Sequence, residues 1–331
     1  MRNAIQFLLL SFAALAVSVP VALAQTADNT KRVGYVVYGA SGPRGHLEQA
    51  FLDGMREQGY VEGRNLIIER VYAEGNAEQL RQGVGAFASR KLDAIVTTCS
   101  PSTDAAKQVT STSGTPVIMA VVTDPVGQGL VASLAQPGGN VTGRSSQVED
   151  TLPKMLELFS AVVPKEERIG VLHNTNNPVH PRLWQQLERV GSARNIKLVR
   201  IDVARSADFP AAFDTISRER LGALFVLPDD SMTMNARARL LELVKKNRLP
   251  TFYGVREFVV DGGLMSYGEN YASSYRSAAA HVGKVLAGAK PATLPVEQPT
   301  KFEFVINRRA AKELGIAIPL DLLLRADEVI E

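Results

Sequence analysis

One cysteine in 331 residues leaves no partner for an internal disulfide, so packing must hold the fold. The four histidines, at positions 46, 173, 180 and 281, are too scattered to suggest a metal site, with His173 and His180 the one pairing left open. No Gly-x-x-x-x-Gly-Lys-Ser/Thr loop occurs, so the chain lacks the phosphate cradle that ATP hydrolysis needs. An excess of one charge is also missing. Lys and Arg number 37 against 34 Asp and Glu, a formal net charge of +3, and the two signs are interspersed. A nucleic-acid partner would call for a clustered basic face, which argues against that class. Cys99 has no histidine in an obviously partnering motif, so it reads as a small buried thiol rather than a nucleophile.

Long apolar runs are absent beyond the first 24 residues, so the remainder has nothing to cross a bilayer, which takes roughly 20 apolar residues. The N-terminus reads as a secretory signal. Arg2 gives a positive start, residues 4–19 are apolar apart from Gln6 and two serines, and Ala22-Leu23-Ala24 offers small residues for cleavage. An uncleaved anchor would need a longer run, and a lipoprotein would need a cysteine at the cleavage point. Cleavage after Ala24 is expected to leave residues 25–331 in the periplasm.

A chain this long exceeds the usual ceiling of about 250–300 residues for one core, so two lobes are expected. Short β-branched runs at 32–37, 66–72, 94–98 and 117–122 alternate with amphipathic stretches, the rhythm of a parallel α/β sheet. Leu47, Phe51 and Met55 recur at helical spacing, and Gly59 closes that helix. The rhythm restarts with strands at 168–173, 197–203 and 223–227 and helices near 183–193, 209–218 and 236–246. The last quarter offers one strand at 264–267 and a helix over 271–286, then an extended Pro-rich piece and a short helix pair, and reads as material shared between the lobes. Between the halves lies residues 124–143, DPVGQGLVASLAQPGGNVTG. Here Asp124 can cap a helix, Pro125 can fill its first position, and Pro137, Gly138 and Gly139 supply a chain reversal.

That segment closely resembles the signature of the tryptophan/tyrosine-type substrate-binding proteins of ABC importers. Three further stretches match the same family: GMREQGYVEGRN at 54–65, GGLMSYG at 262–268 and LPVEQPTKFE at 294–303. The resemblance runs from about residue 32 to the C-terminus. It implies a type I periplasmic-binding fold, an α/β architecture of two Rossmann-like lobes with parallel sheets joined by a three-segment hinge. The crossings fall near 140–146, 262–268 and 296–304, dividing the chain into lobe 1 (30–142 plus 269–297) and lobe 2 (143–268 plus 298–331).

In open α/β sheets, ligands gather outside the carboxyl ends of the strands, so candidate contacts are read from those ends. After the first strand, Ala40, Ser41 and Gly42 let a ligand approach the backbone, although a plain βα turn would look the same. After the third, Thr98, Cys99 and Ser100 sit at a Pro-primed helix start that could hold a carboxylate, while N-capping alone explains one serine. Thr123 and Asp124 end the fourth strand, where an N-cap explains the acid equally well. In the second half, Asn174 offers an amide and Asp229 a carboxylate for an ammonium or hydroxyl. Tyr253 and Tyr267, with the small Gly254 beside the former, lie near later strand ends, where either ring could stack on a flat ligand or simply pack between the lobes. No metal or cofactor is expected.

The resemblance implies an exported solute-binding component that closes its lobes around a small molecule and delivers it to an ABC permease with a cytoplasmic ATPase, touching the membrane only through that permease. The implied ligand is an amino acid, aromatic or a related small carboxylate. A ligand-presenting sensor component would share fold and cleft, and a periplasmic hydrolase would need a convergent nucleophile and base that the sequence does not display.

Overall fold

A computed structural model describes residues 30–39, 42, 45–163, 168–228 and 231–331. The expected signal segment 1–24 and the candidates Ala40, Ser41 and Asp229 lie outside them. Among the described residues, no helix is long and apolar enough to cross a membrane.

The strands form two sheets. The first holds β1 (Lys31–Val37), β2 (Leu66–Tyr72), β3 (Ala94–Thr97), β4 (Val117–Thr123) and β5 (Val141–Ser146) in the order β2-β1-β3-β4-β5. The second holds β6 (Ile169–Asn174), β7 (Leu198–Val203), β8 (Ala223–Val226), β9 (Thr251–Tyr253), β10 (Met265–Gly268), β11 (Glu303–Asn307) and β12 (Glu328–Ile330), in the order β12-β11-β10-β9-β8-β6-β7. All pairs are parallel except β10 with β11, so both sheets are parallel-dominated as expected. Chain that crosses back from the first lobe enters the second sheet from the opposite end, so β11 runs against its neighbour.

Helices cover both sheets: α1 (Gly45–Glu57), α2 (Ala77–Gly85) and α3 (Ser100–Val109), then α4 (Val148–Ser160), α5 (His180–Ala193), α6 (Phe209–Arg218), α7 (Ser231–Asn235), α8 (Arg237–Lys246) and α9 (Arg256–Val260), then α10 (Tyr271–Leu286), α11 (Arg308–Leu314) and α12 (Leu320–Arg325). Alternate strand residues feed opposite faces. Val33, Tyr35 and Val37 join one core with Phe51, Met55 and Val282, while Val36 joins another with Leu80 and Met119. In the second lobe, Ala223 and Phe225 face the Phe159–Phe252 core, and Leu224 and Val226 face the Phe213–Leu240 core. Helices on both faces demand strands apolar on both faces, as the sequence shows. Each Phe or Leu so buried stabilises by about 1.5–3 kcal/mol.

The chain crosses between lobes three times: from β5 to α4, whose apolar face joins the second core, from β10 to α10, which packs on α1, and from Glu297 to β11. Glu297 is still tied to the first sheet by Glu297 N–H to Gly143 O at 2.9 Å and Ser145 N–H to Glu297 O at 2.9 Å. The boundary expected at 142/143 therefore falls inside β5, which pairs with β4 as far as Ser146. The helix expected from Asp124 is also corrected. Asp124 takes φ +45° and accepts from Gly127 N–H at 2.9 Å, and with Gly129 at φ +68° the segment folds as successive turns. Two positive-φ residues so close together break the α geometry.

Candidate functional site

The carboxyl ends of the parallel strands in both sheets face one cleft between the lobes. Its inner chamber, a narrow space of about 30 Å³ that opens into the cleft, is walled from the first lobe by Thr98, Cys99 and Val121, and from the second by residues that include Leu227, Pro228, Gly254, Val255 and Phe258. An outer chamber of about 420 Å³ opens between Tyr38, Cys99 and Ser100 on one side and Asn174, Asn176 and Met232 on the other. Both chambers present polar and apolar surface in nearly equal measure, so each can hold an apolar body and orient a polar end.

The first-lobe edge satisfies its own polar groups. Thr98 donates its hydroxyl proton to Val36 O at 3.2 Å. Ser102 Oγ accepts from the N–H groups of Thr98 and Cys99, both at 3.2 Å, and donates to Cys99 O at 2.9 Å, while Thr103 donates to the same carbonyl at 2.9 Å. Bonds to backbone carbonyls thus occupy the hydroxyl protons of Thr98, Ser102 and Thr103. Ser100 Oγ accepts from Gln128 Nε2 at 3.0 Å, and Gln128 also donates to Thr123 O. Among the described residues this loop still supplies the first lobe's principal cleft surface.

In the second lobe, His180 joins two cleft loops. Asn174 N–H donates to its Nδ1 at 2.8 Å, so the ring proton sits on Nε2, which donates to Pro228 O at 3.1 Å. Neighbouring His173 is buried at the end of β6, with its ring 5.6 Å from that of His180 and its Nδ1 2.9 Å from Asp202 Oδ1. Burial holds the His173 imidazole below the usual histidine range, and the Asp202 carboxylate only partly offsets this. No group of His, Cys, Asp or Glu among the described residues is arranged to hold a metal ion.

The lobes touch around this cleft. A Cβ at Gly39 would lie 2.1 Å from Asn235 Nδ2 across it, so only the absence of a side chain permits that approach. His46 Nε2 stands 3.1 Å from Glu257 Oε1, and Arg182 pairs with Asp124. These bridges join the first lobe to α9 and α5 of the second.

Of the candidates in the described residues, Thr98, Cys99, Ser100, Asn174 and Gly254 line the cleft. Asp124 bridges the lobes through Arg182 instead of facing the inner chamber. Gly42 is exposed at φ +96° and apart from both chambers. Thr123 is fully buried, with its Oγ1 2.5 Å from Ser146 Oγ. Tyr253 is a core residue, stacked 4.5 Å from Phe258, because the inward face of the three-residue β9 points its ring into the lobe. Tyr267 packs at 5.9 Å on Phe302 and against the second-lobe core. Sequence reasoning missed Val255, Phe258, Met234 and Tyr271. Their only signal was position, a few residues beyond strand ends or at a helix start.

The family model described as ABC transporter substrate binding protein matches residues 42–330. The chain belongs to this family. The tyrosine-binding protein of Clostridioides difficile is 28% identical over 269 residues, 81% of this chain and 76% of that protein. Among solved structures, an ABC domain in complex with L-Trp from Streptococcus pneumonia is 25% identical with a TM-score of 0.82, the match covering 91% of this chain and all of that one (100%). A conserved domain protein from Vibrio cholerae is 30% identical, also with a TM-score of 0.82, over 91% of this chain and 99% of that one. As an ABC transporter substrate-binding protein of type I periplasmic-binding fold, the chain uses the cleft as its ligand site, and closure of the lobes is the motion its architecture provides.

Proposed function

We propose that the ligand is an amino acid with an apolar side chain, or a related small carboxylate, held in the inner chamber between the lobes. The observation that carries this reading is the chamber's mixed composition, in which Val121, Leu227, Val255 and Phe258 offer apolar contact beside the hydroxyls of Thr98, Ser231 and Thr233. Relatives that bind tyrosine and tryptophan support the ligand class. The protein is exported to the periplasm, hands its cargo to a membrane permease driven by a separate ATPase, and performs no chemistry itself. Ligand held by both lobes stabilises the closed state by the difference between its contacts there and in the open one.

Native mass spectrometry of residues 25–331, followed by a thermal-shift screen of amino acids and aromatic carboxylates, tests this reading. A ligand at 100 times its dissociation constant adds about 2.7 kcal/mol, enough to move the melting point by several degrees. A retained small molecule or a clear shift is the expected result. Silence across the screen would remove the amino-acid class.

A further inference from the structure

A second, narrower cavity lies beside the inner chamber and shares Pro228, Gly254 and Tyr271 with it as walls. It is partly open to the cleft and has room for about one water-sized group. Into it faces Glu269, which directly follows β10 at the second crossing and is only 8% exposed. One carboxylate oxygen, Oε2, accepts from Ser274 Oγ at 2.8 Å, whereas Oε1 is buried with no hydrogen-bond partner among the described residues. Gln147 and Thr151, at the start of α4, line the same cavity. Gly268 brings the walls together: a Cβ there would lie 1.8 Å from Gly254 O.

A buried carboxylate oxygen without a donor costs free energy that a bound group can recover. Among the described residues, the charged and polar groups around Glu269 are Ser274 and Tyr271 of α10, Arg144 of β5 and the Gln147–Thr151 pair. Arg144 acts on it electrostatically but makes its own ion pair with Glu297. Burial, the largest influence, raises the affinity of Glu269 for a proton, with Ser274 and then Arg144 opposing it. The site therefore suits a small proton donor, and an ammonium head has the required size and charge. We propose that Glu269 selects the ligand's charge, its free Oε1 receiving the protonated amino group of an amino acid whose side chain lies in the inner chamber. This rests on the amino-acid reading of the cleft and goes beyond it by assigning the amino group to one residue.

The test is calorimetric titration of the mature protein and its Glu269→Gln variant with L-tryptophan, L-tyrosine and their des-amino counterparts, indole-propionate and hydroxyphenyl-propionate. Wild type should bind at least one amino acid at least about tenfold more tightly than its des-amino partner, and the variant should lose that preference while keeping the wild-type affinity for the des-amino compound. Binding of the amino acid should release protons, read as a heat that depends on buffer ionisation, and should strengthen as pH rises through the raised carboxyl range. This second signature needs no variant. Equal wild-type affinity for both members of each pair would overturn the assignment while leaving the cleft reading intact, as would a folded Glu269→Gln variant that keeps the amino preference. Failure of every probe to bind wild type would take down both.

Discussion

At the first-lobe edge of the cleft, Thr98, Ser102 and Thr103 bond to backbone groups of Val36, Thr98 and Cys99, whereas the second-lobe side and its crossing hold Asn235, Glu257 and Glu269, each with a buried side-chain oxygen that no described residue engages. One side is finished in the absence of ligand; the other is completed from outside. A self-capped edge is a fixed platform whose position depends on α3, while buried unpartnered acceptors make the opposite side sensitive to which donor arrives. Related proteins can therefore share the platform and differ in cargo by changing the second lobe and the crossing.

Breaking the core behind the second edge should have the largest effect. Phe225 stacks at 5.5 Å on Phe252, so Phe225→Ala should cost about 3–5 kcal/mol and lower the melting temperature by roughly ten degrees in calorimetry. A shift under two degrees would mean that this lobe does not depend on its aromatic stack. Gly268→Ala drives a methyl into Gly254 O and should cost about 1–3 kcal/mol, with a further fall in ligand affinity because the Glu269 cavity is distorted. Unchanged stability and affinity together would reject the close approach. Gly39→Phe tests the contact of platform with second lobe. It should weaken binding about tenfold at unchanged melting temperature, with small-angle scattering of the ligand-saturated protein showing a more extended particle than wild type.

Acid should separate the lobes more gently. Burial lowers the affinity for protons of His173 in the second lobe and of His281 on α10 in the first. Both then bind a proton more readily unfolded than folded, so stability should be complete above the ordinary histidine pKa of about 6.5 and fall as pH drops below it. Chemical denaturation at pH 7.5 and pH 5 on His173→Asn and His281→Asn assigns the loss, the greater part being expected from His281, whose side chain is fully enclosed. A pH slope unchanged in both variants would refute the assignment. The smallest effect belongs to Arg182→Ala, which removes an exposed bridge worth at most about 1 kcal/mol and should alter affinity only a few-fold, less so at high salt. A tenfold change would show that the bridge governs closure.

Sequence pattern carried the two-lobed α/β plan because buried strands and amphipathic helices write their periods directly into the chain. It carried Thr98, Cys99 and Gly254 to the cleft because strand ends locate it. The helix α4 went unrecognised, since Pro153 interrupts its period and β5 before it, with Gly143, read only as a crossing. Tyr253 was placed in the cleft although its ring is core, because a strand of three residues is too short for alternation to tell inside from outside. Glu269 had no legible signal. Its importance arises from an unpartnered oxygen among groups brought together from four distant parts of the chain.

The lone thiol of Cys99, 6% exposed, stands where both chambers of the cleft meet the first lobe. Nature has thus installed a single-site gauge of the protein's posture. A thiol-reactive dye should label it slowly in the shut molecule, faster when the halves part, and more slowly again with cargo aboard. Opening and loading can be timed by ordinary fluorescence on the unaltered chain, with no engineered cysteine and no background from a second one.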